Sequence, residues 1–337
     1  MTVHLGSIID RTSWIGNLTG GILMLLVSLA VCYETIMRHF FDLPTEWVMS
    51  LSLLAFMWFP FLSAAYGIRE EKHISCDVFV SRAAPRTREL LGAATDSTSL
   101  IYIVALGIYG YEAFWEAYKI GAESSGIIRY PLWILRVIFP IGMLLCLLQT
   151  FQNVSKRVAR IRSGQLENGT GFSANPKMML LLYVINLGIG VWVFTLNMPM
   201  GILVMALTIL LWGVPISFGL GIVGLIGLLF FHGSLNGLYT IPIVAEKTVH
   251  HFVLLAIPLF SLGGVILARS GLGEQIYDLS AKWFAWMPGG LGVATCITGG
   301  ILAAMIGSST AVTAIVTLVA MKPLLDRGYS KTMVIGT

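Results

Sequence analysis

Residues 303–313 read AAMIGSSTAVT. Here Gly307, Ser308, Ser309, Thr310 and Thr313 interrupt an apolar run that extends from about residue 289 to 321. As one helix that run would be about 50 Å long at 1.5 Å per residue, which overshoots a hydrocarbon core of roughly 30 Å. A helix broken inside lipid leaves carbonyls at one end and amides at the other without partners. Such a break is tolerated where it lines a cavity or holds a ligand. Carbonyls and hydroxyls together suit a small hard cation such as Na⁺, and the amide end of a half-helix attracts an anion. Secondary transporters use breaks of this kind near the bilayer midplane. Gly307, Ser308, Ser309 and Thr310 are therefore the candidate ion and substrate site, with Na⁺ at Gly307–Ser309. The competing reading is that small residues serve close helix packing and the hydroxyls bond their own helix.

Composition sets the frame around that stretch. Hydrophobic residues make up 56% of the 337 residues and charged residues only 11%, whereas soluble domains are about a quarter charged. Apolar runs long enough to span recur along the chain, and lipid forces them to be helices. The alternating ten-residue pattern of an outer-membrane barrel is absent. The net charge of +4 resides in loops and calls for no nucleic acid. Cys32, Cys76, Cys146 and Cys296 are far apart and lack metal-ligand spacing. His250 and His251 are adjacent, so on a helix they point apart. No cofactor or metal is expected beyond Na⁺ as a coupling ion.

Five simple spans fall at about 15–37, 47–68, 90–112, 131–152 and 178–197. The first lacks a basic start and a cleavage site, so it reads as a span and not a signal peptide. Arg69, Lys72, Arg82, Arg86 and Arg88 follow span two, and Lys156, Arg157, Arg160 and Arg162 follow span four. The positive-inside rule then puts the N-terminus, loop 69–89 and linker 153–177 in the cytoplasm. Domain boundaries follow: a four-helix membrane domain over 1–152, a cytoplasmic linker over 153–177, a connecting helix over 178–199, and a transport domain from 200 to 337.

Residues 200–231 repeat the case of 289–321. They would make a helix about 48 Å long, but Gly213–Val214–Pro215 sits inside them. Proline removes a donor and turns the preceding residue away from helix, so a break is expected, and Gly213 and Pro215 join the candidate site. Basic residues favour one crossing count, in which span five exits, 200–231 returns inward, 252–268 goes out and 289–321 comes in as a broken crossing. Lys322, Arg327 and Lys331 then lie in the cytoplasm. A re-entrant hairpin at 289–321 is the alternative, and it needs a second hairpin elsewhere to restore the count. Residues 232–251 read as an interfacial loop.

Other polar residues sit near span ends. Glu34, Arg38, His39, Asp42 and Glu46 cluster at the outer end of span one. They read as an interfacial charge cluster or as a docking surface, Glu34, Arg38, Asp42 and Glu46 in particular, for a soluble partner. Glu70, Glu71, Lys72, His73 and Asp77 form a cytoplasmic anchor between domains. Asp96 is the most buried carboxylate candidate, functional by default inside a span, or, less than two turns in, reaching out to the cytoplasmic interface. Trp14, Trp47, Trp133, Trp283 and Trp286 read as interfacial anchors.

Several of these stretches resemble the tripartite ATP-independent periplasmic (TRAP) transporters. ETIMRHFFDLPTEW (34–47), EEKHISCDVFV (70–80) and YPLWILRVIFPIGMLL (130–145) resemble the small membrane subunit, although Glu46 precedes Trp47 where the family pattern has the reverse order. GVPISFGLG, LLAIPLFSLGGVILARSGL, MPGGLGVATCITGGILAAMIGSSTAVTAI and RGYSK resemble the first part of the large subunit. The chain therefore looks like a fusion of the two. The resemblance implies an all-α polytopic protein of the bacterial inner membrane: a four-helix scaffold and the first half of an inverted-repeat transport domain with broken helices. It implies import of an organic acid, typically a carboxylate, driven by a sodium gradient and fed by a periplasmic solute-binding protein. It assigns Gly307, Ser308 and Ser309 to the sodium and substrate region. Large subunits have two inverted halves, so the second half is expected to be missing here. The alternative is accordingly a truncated, non-transporting scaffold or remnant. An intramembrane serine enzyme would need a base at the depth of Ser308 or Ser309, and His232, His250 and His251 sit at loop edges.

Overall fold

The computed structural model describes residues 2–76, 80–124, 128–164, 175–249, 251–306 and 309–336. Among the described residues every regular element is a helix, with one isolated bridge between Glu123 and Pro131. Five helices are long and apolar enough to cross a membrane: α1 (Thr2–Phe41), α2 (Glu46–Arg69), α3 (Pro85–Ile120), the α4–α5 stretch (Leu132–Arg136, Ile138–Ser163) and α6 (Pro176–Leu196). The chain is thus an all-α polytopic membrane protein. Packing divides it into two units, residues 1–23 with 53–250 and residues 24–52 with 251–337.

The first unit does not stop at residue 200. Its main core takes Met57 and Ala65 from α2, Ile103 and Leu106 from α3, and Phe139, Met143 and Cys146 from α5. It also takes Phe218 and Leu225 from α8 (Ile216–His232) and Ile241 from α9 (Thr240–Val249). The four-helix region and the start of the transport region therefore share one buried surface. Polar bonds reinforce it. The Ser13 hydroxyl donates to the side chain of fully buried Gln149 (2.9 Å), Gln149 donates to Asn153 (3.3 Å), and Asn153 donates to the Ile68 carbonyl (2.9 Å). In a bilayer each of these groups would be costly unpaired.

Residues 198–232 depart from the sequence expectation. α7 (Met198–Leu211) begins directly after α6, with the Asn197 side chain accepting from the Met200 amide (3.2 Å) as an N-cap. α8 then folds back on α7. A Cβ on Gly219 would strike Ile209, and Met205 and Ile209 share a core with Ile222 and Val223. The stretch is two antiparallel half-length helices, so it enters and returns instead of making one inward crossing. A crossing count based on basic residues has no information about such a return, because neither α7 nor α8 carries a Lys or Arg.

The second unit holds α10 (Ala256–Arg269), α11 (Leu272–Trp283), α12 (Gly290–Ile306), α13 (Ser309–Asp326) and α14 (Lys331–Gly336). α10 and α11 meet at 75°. α12 and α13 lie side by side: a Cβ on Gly299 would sit 3.9 Å from Val316, and Leu291 clusters with Ala320 and Leu324. α12 and α13 thus pair as a return, the hairpin alternative at 289–321 in place of one broken crossing.

Candidate functional site

The break at 212–215 is built with care. Trp212 donates to the Thr208 carbonyl (3.2 Å), Gly213 to Leu210 (3.2 Å) and Val214 to Ile209 (3.3 Å). Gly213 has φ +82°. This is a Schellman stop, in which glycine at the left-handed position lets the chain cap its own last carbonyls. Those carbonyls are occupied by the chain itself. On the other side of the break Pro215 precedes α8, and the Ile216 amide donates to the Ile74 carbonyl (2.9 Å) of the loop after α2. One of the orphan amides of α8 is thereby satisfied from the small-subunit-like region.

That loop is itself clamped. His73 Nε2 lies 3.1 Å from the Ala64 carbonyl, and its ring packs on Phe218 at 5.1 Å. Burial lowers the His73 pKa from its ordinary value, opposed by the contact with the Ala64 carbonyl. Arg157 on α5 donates to Glu71 (2.7 Å) and Asp96 (2.9 Å) and lies 3.5 Å from Glu89, which also pairs with Arg160 (3.2 Å). Asp96 is therefore neutralised by a partner on a neighbouring helix. Asp10 gathers Arg69 (3.6 Å) and Lys156 (3.7 Å). Beside Arg157 is a cavity of about 300 Å³ lined by Glu71, His73, Arg88, Asp96 and Arg157, and by Gly213 and Pro215 of the break. Gly213 and Pro215 thus stand at the ionic end of the first unit, beside the loop that follows α2.

The other candidate break lies between α12 and α13. Gly307 and Ser308 lie outside the described residues. Ser309 and Thr310 open α13, so their backbone is helical. The end of α12 is crowded by α10: a Cβ at Gly264 would meet the Ile306 side chain at 2.7 Å and its carbonyl at 3.3 Å. Gly264 was not singled out from sequence, although the Gly263–Gly264 pair within an apolar helix was the available signal. Along the hairpin, Thr295, Cys296, Gly299, Thr313 and Thr317 border a cavity of about 640 Å³.

The charged corner between α1 and α2 is locally satisfied. Arg38 donates to Glu34 Oε1 through Nη2 (2.6 Å) and Nε (3.0 Å), and the Thr45 amide donates to Glu34 Oε2 (2.7 Å). Asp42 takes φ +53° at the turn, and Glu46 begins α2, where its charge suits the helix dipole. Glu34 is largely covered at 13% exposure, while Arg38 is exposed at 64%.

Two family models match, end to end along the chain. Residues 27–160 match the DctQ component of the tripartite ATP-independent periplasmic transporters, and residues 203–336 match the DctM component. The chain belongs to this transporter family. The matches to the small and the large membrane component follow one another in that order on one chain. The isethionate TRAP transporter permease protein DctMQ of Oleidesulfovibrio alaskensis is 23% identical over 314 residues, 91% of this chain and 47% of the relative. The sialic acid TRAP transporter permease protein SiaT of Haemophilus influenzae is 21% identical over 323 residues, 92% of this chain and 50% of the relative. The 2,3-diketo-L-gulonate TRAP transporter large permease protein YiaN of Escherichia coli is 33% identical over 120 residues, 35% of this chain and 27% of the relative. The chain spans about half the length of the fused relatives it matches. The family is one of transporters and not of enzymes.

Proposed function

We propose that this chain supplies the permease of a TRAP-type secondary transporter that imports an organic acid across the bacterial inner membrane. The observation that carries the reading is the order of the two component matches, 27–160 then 203–336, on one helical chain. The relatives are named for isethionate, sialic acid and 2,3-diketo-L-gulonate, all anions at neutral pH, which supports a small organic anion, a carboxylate by preference, as cargo. A sodium gradient drives uptake, and Na⁺ binds at the tip of the α12–α13 hairpin through Gly307, Ser308, Ser309 and Thr310. Support comes from the hairpin itself: its tip combines a helix end and a helix start, the backbone groups that a cation and an anion need. Gly213 and Pro215 enter this reading as the bend that fixes α8 beside the ionic cluster. A periplasmic solute-binding protein delivers the anion, and Arg38, Asp42 and Glu46 meet it, with Glu34 holding Arg38 in place. The N-terminus is cytoplasmic, in keeping with the basic residues around Arg69 and Lys156.

The test is uptake by membrane vesicles carrying the protein, supplied with a periplasmic solute-binding protein loaded with an organic acid, with and without a sodium gradient. Ser309→Ala is expected to weaken sodium-dependent uptake at least several-fold and to raise the sodium concentration for half-maximal rate. Uptake with unchanged rate and unchanged sodium dependence in both Ser308→Ala and Ser309→Ala would remove the site assignment.

A further inference from the structure

One face of α3 changes chemistry abruptly. Its core side carries Leu106, Gly110, Ala113 and Ala117, which are buried. The opposite face runs Ile101, Val104, Ile108, Tyr111, Trp115 and Tyr118, each 40–55% exposed. The spacing of three or four residues keeps all six on one stripe. Up to Ile108 the stripe is aliphatic, and from Tyr111 onward it is aromatic.

The aromatic part is ordered as a stack. Tyr111 and Trp115 lie with ring centroids 6.4 Å apart and planes within 9°, and Trp115 and Tyr118 lie 5.8 Å apart at 20°. The Lys119 ammonium stands over the Trp115 ring at 5.4 Å. Trp133, from the segment that opens α4, meets Tyr118 edge-on at 6.1 Å.

Length places this changeover. α3 has 36 residues, about 54 Å, against a hydrocarbon core of roughly 30 Å. The helix begins among Arg86, Arg88 and Glu89, which mark one boundary. From Leu90 to Tyr111 is about 31 Å, so the second boundary falls where the stripe turns aromatic. Residues 112–120 then project about 14 Å further, through a headgroup layer some 5–8 Å deep on each side.

We infer that Tyr111 and Trp115 form a lipid-binding stripe seated in the phospholipid headgroup layer, with Tyr118 and Lys119 at its outer edge and their side chains leaning back along α3 toward the phosphates. Amphipathic rings favour this depth because one side of the layer is apolar and the other wet. A lysine with its stem along a ring and its ammonium outward has the same preference. The stripe continues a lipid-facing aliphatic face without a gap, and this is why lipid, and not a soluble protein, is the occupant assigned. The inference needs only that α3 spans the bilayer. It does not depend on the orientation, cargo or coupling ion.

The full chain, with Cys32, Cys76, Cys146 and Cys296 replaced by Ser, would carry one new cysteine at Ile108, Trp115 or Ile120, labelled with an environment-sensitive fluorophore. It would be placed in vesicles of equal parts phosphatidylethanolamine and phosphatidylglycerol. Quenching would be compared for nitroxides on the lipid headgroup, nitroxides at the acyl-chain centre, and aqueous iodide. The probe at Trp115→Cys should respond most to the headgroup label, at Ile108→Cys most to the chain label, and at Ile120→Cys most to iodide. If the probe at residue 115 is quenched by iodide as strongly as at residue 120 and ignores both lipid labels, the stripe stands in water and the inference fails. In a separate arm, Tyr111→Leu/Trp115→Leu/Tyr118→Leu keeps the apolar bulk but removes the polar edges. The Leu variant should move the Ile120→Cys probe at least twofold toward the chain label, and no movement would also overturn the proposal.

Discussion

At Gly213 a single residue decides the path of the chain. Its φ of +82° costs an L-residue roughly 1–2 kcal/mol, while glycine adopts it freely. Three amides in a row, from Trp212, Gly213 and Val214, turn back onto the end of α7 because of it. Gly213→Ala is expected to lower stability by about 1 kcal/mol once the lower chain entropy of alanine is set against the strain. Gly213→Asn should lose less, since asparagine tolerates the left-handed region. Thermal unfolding in detergent gives the order, and an alanine variant with an unshifted midpoint would contradict the Schellman geometry. The need for a break was legible in the Gly–Val–Pro sequence. Its depth was not, because that depends on where the Ile74 carbonyl waits, and Ile74 is more than a hundred positions earlier.

At the scale of elements, the loop after α2 works as a clasp. It is held by Arg157 through Glu71, by His73 against Ala64 and Phe218, and it gives a carbonyl to the first amide of α8. A single arginine thereby ties α3, α5 and the clasp. Arg157 is 15% exposed and Asp96 19%, so the cost of separating them is below that of a fully buried pair. Arg157→Met is expected to cost about 1–3 kcal/mol, mainly by leaving Asp96 uncompensated in the span. Adding Asp96→Leu should recover part of that loss, and a double-mutant cycle on unfolding midpoints measures the recovery. Strict additivity would show that the two charges do not depend on each other. Sequence drew attention to Asp96 as an acid inside a span. It gave no partner, because Arg157 sits 61 residues away and belonged, by periodicity alone, to a solvated basic run. α11 was missed for a related reason. Glu274, Asp278 and Lys282 make Leu272–Trp283 too polar for a span, although its i, i+4, i+7 pattern of Leu272, Ile276 and Leu279 was present.

Across the whole molecule, both apolar stretches that overshoot a bilayer fold back on themselves. On charge alone, 200–231 reads as one inward pass and 289–321 as another. The fold makes both into returns, α7 against α8 and α12 against α13. Charge statistics constrain parity only, so hairpins added in pairs are invisible to them. The two schemes differ over residues 232–249. One inward pass would leave them on the side of Arg86. The antiparallel α7–α8 pair carries them to the opposite end of α3, where Tyr239 packs on Tyr109 at 5.1 Å and Glu246 pairs with Arg136 at 2.8 Å. Single cysteines at Arg86 and Leu235 in a background without Cys32, Cys76, Cys146 and Cys296 separate the schemes. A membrane-impermeant maleimide added to intact cells should label Leu235→Cys and spare Arg86→Cys until the membrane is opened. Labelling of both or neither in intact cells would mean that α7 and α8 do not pair as a return, and the shared core of Ile103, Phe139, Phe218 and Leu225 could not form in the membrane as it stands here.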